Sequence, residues 1–116
     1  MPSPVVHFEI GSKDSVRLSQ FYGELFGWTF LELGDVRPII EGLEGGPSGM
    51  LNTLGHPPEN YVLIYIQVDD VSAALDKVIA GRGKVLVGPA DLPDGRTFAW
   101  IRDPAGNMIG LLSPLP

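Results

Sequence analysis

The chain repeats itself, and nothing else in the sequence restricts its fold as much. Tyr61 to Gly83, YVLIYIQVDDVSAALDKVIAGRG, and Val5 to Gly27, VVHFEIGSKDSVRLSQFYGELFG, are segments of equal length offset by 56 positions. Val62, Ile64 and Ile66 fall over Val6, Phe8 and Ile10, and Gly83 falls over Gly27. In each segment apolar residues alternate at period 2 and then recur at helical spacing, so a strand runs straight into an amphipathic helix. One supersecondary unit is used twice.

The first half continues predictably. Asp14 caps a helix whose apolar stripe is Leu18, Phe21, Tyr22, Leu25 and Phe26, and Gly27 stops it. Trp28 to Leu33 reads as a strand with Glu32 outward. A turn at Gly34-Asp35 leads to a strand over Arg37 to Leu43, where Pro38 confines the start to an edge or bulge. EGGPSG is a loop, Met50 to Leu54 a short strand, and GHPPEN the linker between the halves.

In the second half Asp69 and Asp70 are a capping pair, Val71, Ala74, Leu75, Val78 and Ile79 form the stripe, and Gly81 ends the helix. Strands follow over Lys84 to Val87, Arg96 to Arg102 and Met108 to Ser113, separated by PADLPDG and DPAGN. Each half is therefore strand, helix and three strands. GPSGMLNTL in the first half matches DPAGNMIGLL in the second at an offset of 57, which lays Thr53 over Gly110.

With 116 residues the chain suffices for one domain, residues 1–116, with module one at about 5–54 and module two at about 61–113. A net charge of −6 argues against nucleic acid as a partner. The absence of cysteine excludes a disulfide framework and a thiolate metal site or nucleophile. No apolar run approaches a bilayer span, and MPSPVVHFEI lacks the form of a secretory signal, so a cytoplasmic protein with no membrane partner is expected. Gly45-Gly46 is not followed by the Lys-Ser/Thr of a phosphate loop, and no Ser-His-Asp set or zinc motif can be assembled. His56 belongs to the linker and is expected to be solvated.

Paired βαβββ units carrying HFEI, FYGELFGW, VDDV and DPAGN resemble the vicinal oxygen chelate superfamily. Its members include glyoxalase I, extradiol dioxygenases, methylmalonyl-CoA epimerase and bleomycin-binding resistance proteins. The resemblance covers nearly the whole chain and implies an α+β fold, two tandem βαβββ modules forming a curved mixed sheet around a cleft. In the metal-using members four side chains hold a divalent ion. Counted from the family motifs, those positions here are His7, Thr53, Leu63 and Gly110. Leu and Gly have no donor and a Thr hydroxyl is a poor ligand, so the resemblance implies no metal and no cofactor.

Strand parity names the residues expected to face the cleft. They are His7 and Glu9, Leu51 and Thr53, Leu63, Tyr65 and Gln67, and Met108, Gly110 and Leu112, with Phe98 and Trp100 as a candidate wall. Val6, Phe8 and Ile10, with Val62, Ile64 and Ile66, should face the helices. A carboxylate is rarely buried unpaired, so Glu9 should pair with His7, Arg96 or Arg102, or meet a ligand. Met50 is expected to fill core space.

Two functions fit. One is a small-molecule-binding protein of the glyoxalase and bleomycin-resistance type without the metal site. The other is a metal-independent glyoxalase-like lyase or isomerase in which Glu9 or His7 is the acid–base group. The resemblance implies a homodimer, since superfamily members of this size are commonly dimers, and the tandem halves leave strand edges and outer sheet faces to cover.

Overall fold

The computed structural model describes residues 2–31, 38–41 and 44–116. The elements are β1 (Val5–Gly11), α1 (Ser15–Phe26), β2 (Thr29–Leu31), β3 (Ile39–Glu41) and β4 (Ser48–Asn52) in module one. Module two holds β5 (Tyr61–Gln67), α2 (Val71–Ala80), β6 (Lys84–Asp91), β7 (Thr97–Arg102) and β8 (Met108–Leu112). This is an α+β fold of two βαβββ modules with mixed strand pairing. β1 runs parallel to β4, and β5 parallel to β8; the pairs β2–β3, β3–β4, β6–β7 and β7–β8 are antiparallel. Strand order is β2-β3-β4-β1 in the first module and β5-β8-β7-β6 in the second.

The chain divides into two compact units, His7–Leu63 and the segment up to Val6 together with Ile64–Pro116. The division falls within β1 and β5 rather than in the GHPPEN linker. One local cause is a backbone bond from the Gln67 N–H to the Pro4 carbonyl at 2.9 Å, which fastens the start of the chain to the end of β5.

Both helices begin where their capping carboxylates dictate. Asp14 Oδ1 accepts from the Arg17 N–H and Asp70 Oδ1 from the Ala73 N–H, each at 3.0 Å, which satisfies a donor left orphaned by the first turn. Gly27 ends α1 in the left-handed region at φ 72°, a conformation glycine adopts without a Cβ penalty.

Three strands depart from the sequence reading. β4 starts at Ser48 because Ser48 and Gly49 already pair with His7 and Phe8, and it ends before Thr53. β6 runs through Gly88 and Pro89 to Asp91; register shifts on either side of Val87 take up the residues that cannot pair regularly. The strand expected over Trp28 to Leu33 is confined to Thr29–Leu31 among the described residues. Glu32, the Gly34-Asp35 turn, and both ends of the strand expected over Arg37 to Leu43 lie outside them.

In module two the core is Val71 and Leu75 of α2 against Ala99, Ile101 and Leu111, with Ile66 packed at its margin. α2 lies mainly over β6 and β7. That placement corrects one expectation: Val62 and Ile64 have the parity of Ile66 but are 71% and 38% exposed. In module one Phe8 supports the C-terminal end of α1 through Trp28, with ring centroids 6.0 Å apart. Among the described residues no helix is long and apolar enough to cross a membrane.

Candidate functional site

In a parallel pair, residues in register point to the same side of the sheet. His7 opposes Ser48, Glu9 opposes Met50 and Gly11 opposes Asn52, so these six residues share the face of module one that α1 does not cover. Leu51 opposes Ile10, so Leu51 is buried on the helix-side parity of Phe8 and Ile10, not on the face of Glu9. Thr53 lies beyond β4, and its Oγ1 accepts from the Ser15 N–H at 3.1 Å, at the start of α1. Both had been expected to face the cleft, because the sequence reading of β4 was one residue out of phase. Met50 and Asn52 hold the places assigned to them.

Glu9 is the centre of this face. It is 1% exposed, and two donors meet on its Oε2: the Tyr61 hydroxyl and, at 3.1 Å, the Asn52 amide nitrogen. Hydrogen bonds to a charged acceptor are the strong ones, and they offset part of the cost of taking a carboxylate out of water. Tyr61 reaches Glu9 by crossing over Gly11, where a Cβ would overlap its ring. The arginines considered as partners are engaged elsewhere. Arg96 Nη2 pairs with Asp94 at 2.8 Å, and Arg102 Nη1 donates to the Gly106 carbonyl at 2.8 Å. His7 Nδ1 is hydrogen-bonded to Ser48 Oγ at 2.6 Å. Tyr61 and Asn52 were missed by sequence reasoning. The signal for Tyr61 was present, since it stands two residues before Leu63 and so shares the parity of Leu63 and Tyr65.

In module two, Tyr65 opposes Gly110, which opposes Trp100; Gln67 opposes Leu112, which opposes Phe98. These residues occupy the face turned away from α2. Leu63 is fully buried. Trp100 Nε1 donates to the Tyr65 hydroxyl at 2.8 Å, and the Tyr65 ring fills the space a Cβ on Gly110 would need. Met108 is half-buried opposite Arg102.

The register also revises the equivalence between modules. Tyr65 corresponds to Glu9 in the repeat; Tyr65 opposes Gly110 while Glu9 opposes Met50, so Met50 rather than Thr53 is the counterpart of Gly110. Among the described residues there is no group of three or more His, Cys, Asp or Glu side chains placed to hold a metal ion. Two exposed carboxyls outside this face are perturbed. Asp103 is held below the usual carboxylate range by the Asn107 side chain first and the Asn107 N–H second, and Asp94 by Arg96.

The sequence profile of the Glyoxalase/Bleomycin resistance protein/Dioxygenase superfamily matches residues 5–111, and the chain belongs to that superfamily. It is 32% identical to CFP32 of Mycobacterium tuberculosis, which carries a provisional glyoxylase name, across 89% of this chain and 42% of that protein. The chain thus spans less than half the length of that curated relative. It is 28% identical to a glyoxylase-like domain-containing protein of Didymella fabae, over 85% of this chain and 84% of that one. Among solved structures, methylmalonyl-CoA epimerase of Streptomyces coelicolor in complex with 2-nitronate-propionyl-CoA superposes over the whole of both chains with a TM-score of 0.69. At 16% identity that likeness shows the fold alone.

Proposed function

We propose that the chain is a small-molecule-binding member of its superfamily that works without the superfamily's metal ion, with Glu9 as the polar anchor for the ligand. One observation carries the reading: the Glu9 carboxylate is kept inside module one, on the face free of helix, by donors from two other strands. Replacing a buried ion together with its partners by apolar side chains is often neutral or stabilising, so a buried carboxylate network is weak evidence of a purely structural role. Such a group, with Met50 and Ile39 as apolar neighbours in register, has the make-up of a recognition site for a ligand bearing a cationic or hydrogen-bond-donating group. On the corresponding face of module two, Tyr65 and Trp100 are buried and Phe98 half-buried, an aromatic group of the kind that lines sites for organic ligands.

The donor set supports the metal-free part of the reading. Of the family's four positions only His7 has a ligating ring. Leu63 and Gly110 have no donor, and the Thr53 hydroxyl is occupied at the start of α1. Placing Met50 at the second position adds only a thioether, a poor partner for zinc or manganese.

A second reading, a lyase or isomerase using Glu9 or His7 as acid–base group, is favoured by the Tyr61 hydroxyl on the carboxylate. Glu9 would take a proton from a substrate carbon and return it, with Tyr61 stabilising whichever charge state is present. The test is mass spectrometry of the organic fraction released when purified protein is denatured. Wild type should release a defined small molecule, and a folded Glu9→Gln variant should release at least about tenfold less; equal release from both overturns the anchor. Incubating the protein with that molecule in D2O separates the readings, because Glu9-dependent deuterium uptake at carbon identifies an enzyme.

A further inference from the structure

The parallel pairing of β1 and β4 brings together a histidine and a serine that lie 41 positions apart in the chain. His7 opposes Ser48 in register, so both side chains leave the sheet on the face of Glu9, and His7 Nδ1 stands 2.6 Å from Ser48 Oγ. Ser48 is exposed and His7 half-buried, so a small molecule can reach the pair. Both residues belong to strands, which hold a pair more firmly than loops do. The scaffold does not require them. The repeat puts Leu63 at the place of His7, and the register puts Met108 at the place of Ser48, so module two builds the same strands with two apolar side chains there.

We propose that Ser48 is a nucleophile with His7 as its general base, and that the pair takes the acyl group of a small carboxylic ester. A serine hydroxyl is a weak nucleophile until a base within about 2.6–3.2 Å accepts its proton. In the neutral ring that carries its proton on Nε2, Nδ1 is that acceptor. Attack forms a bond from Oγ to the carbonyl carbon and passes the Ser48 proton to Nδ1. The ester C–O bond then breaks, and the departing alcohol takes that proton. Water, giving a proton to Nδ1, attacks the acyl-serine in the same way, releases the carboxylic acid and restores the Ser48 hydroxyl. Ester and water become acid and alcohol, with no further reactant. An alcohol leaves more readily than an amine, so an ester rather than an amide suits an exposed serine–histidine pair. A second constraint rests on the reading of Glu9 as anchor. Glu9 lies two residues beyond His7, about 7 Å along the strand, so an ester using both carries its cationic or donating group about that far from the carbonyl carbon.

Incubating the folded full chain with an alkyl fluorophosphonate tests the pair, because Oγ attack on phosphorus expels fluoride and leaves a permanent mass tag. Peptide mass spectrometry should find a single tag, on Ser48, and His7→Gln should slow its appearance at least about a hundredfold. Wild type should hydrolyse p-nitrophenyl acetate, and Ser48→Ala should do so at least about tenfold more slowly. The chain has no cysteine, so Ser48→Cys supplies a second readout. Its lone thiol should react with iodoacetamide at least about tenfold faster than the same thiol in a chain that also carries His7→Gln. An untagged Ser48, tagging as fast in His7→Gln or in urea-unfolded chain, or hydrolysis that survives Ser48→Ala would each overturn the proposal. None of these outcomes touches the Glu9 anchor, which is judged on ligand release measured without either reagent.

Discussion

Glu9 remains inside module one at 1% exposure because Tyr61 and Asn52 both donate to one of its oxygens. Removing one donor leaves a buried acceptor short of a partner, which costs about 1–3 kcal/mol. Tyr61→Phe should therefore lower stability by that order at neutral pH, measured by urea denaturation. Glu9→Leu should cost at least as much, because it removes the acceptor of both the Tyr61 hydroxyl and the Asn52 amide, while abolishing ligand retention. The inward placement of Glu9 was legible in the alternation of β1. Its partners were not, since a polar residue on a strand announces its face but not which neighbouring strand will meet it. Glycines carried information of the same kind. Gly110 faces the Tyr65 ring and Gly49 the Phe8 ring so closely that a Cβ would overlap either. Gly110→Ala should destabilise by about 1–3 kcal/mol through overpacking, and Tyr65→Ala in the same chain should recover part of that loss. Chemical denaturation of the two single variants and the double variant measures the coupling.

At the scale of elements, the helices could be read to within a residue because both ends carry local chemistry. Asp70→Ala should cost about 1 kcal/mol by removing the acceptor for the Ala73 N–H, measured as a shift in thermal midpoint. β4 could not be placed this way. The turn residues of GPSG and DPAG look alike, yet Gly49 lies inside β4, paired with Phe8, while Gly106 sits in the turn before β8 at φ 93°. β4 and β8, Ser48–Asn52 and Met108–Leu112, stand sixty positions apart, not the 57 that matching the turns suggests. That difference in loop length moved Leu51 and Thr53 onto the wrong face. The DPAGN turn itself should report on pH. Asp103 accepts from the Asn107 side chain at 3.0 Å and from its N–H at 2.9 Å, which depresses its folded pKa. A depressed carboxylate stabilises the turn above its unfolded pKa and loses that contribution as pH falls through the folded one. An NMR titration should place Asp103 below the ordinary aspartate range, and Asn107→Ala should move it back up.

For the molecule as a whole, the tandem repeat revealed the α+β architecture and the superfamily, because two copies of one pattern must bury two similar faces. Activity was not legible to the same degree, since this fold carries many chemistries and only the side chains on its faces choose among them. Those side chains place a buried carboxylate in module one and the rings of Tyr65, Phe98 and Trp100 on one face of module two, and on the proposed reading His7 is the one ligating side chain at the positions the superfamily uses for a metal. How the chain treats divalent ions therefore tests the metal-free reading most directly. Dialysed protein should be offered zinc, manganese, nickel and iron in turn, desalted, and its bound metal measured by elemental analysis. Only trace metal should remain with the chain; about one ion per chain, retained by wild type and lost in His7→Ala, would contradict the account.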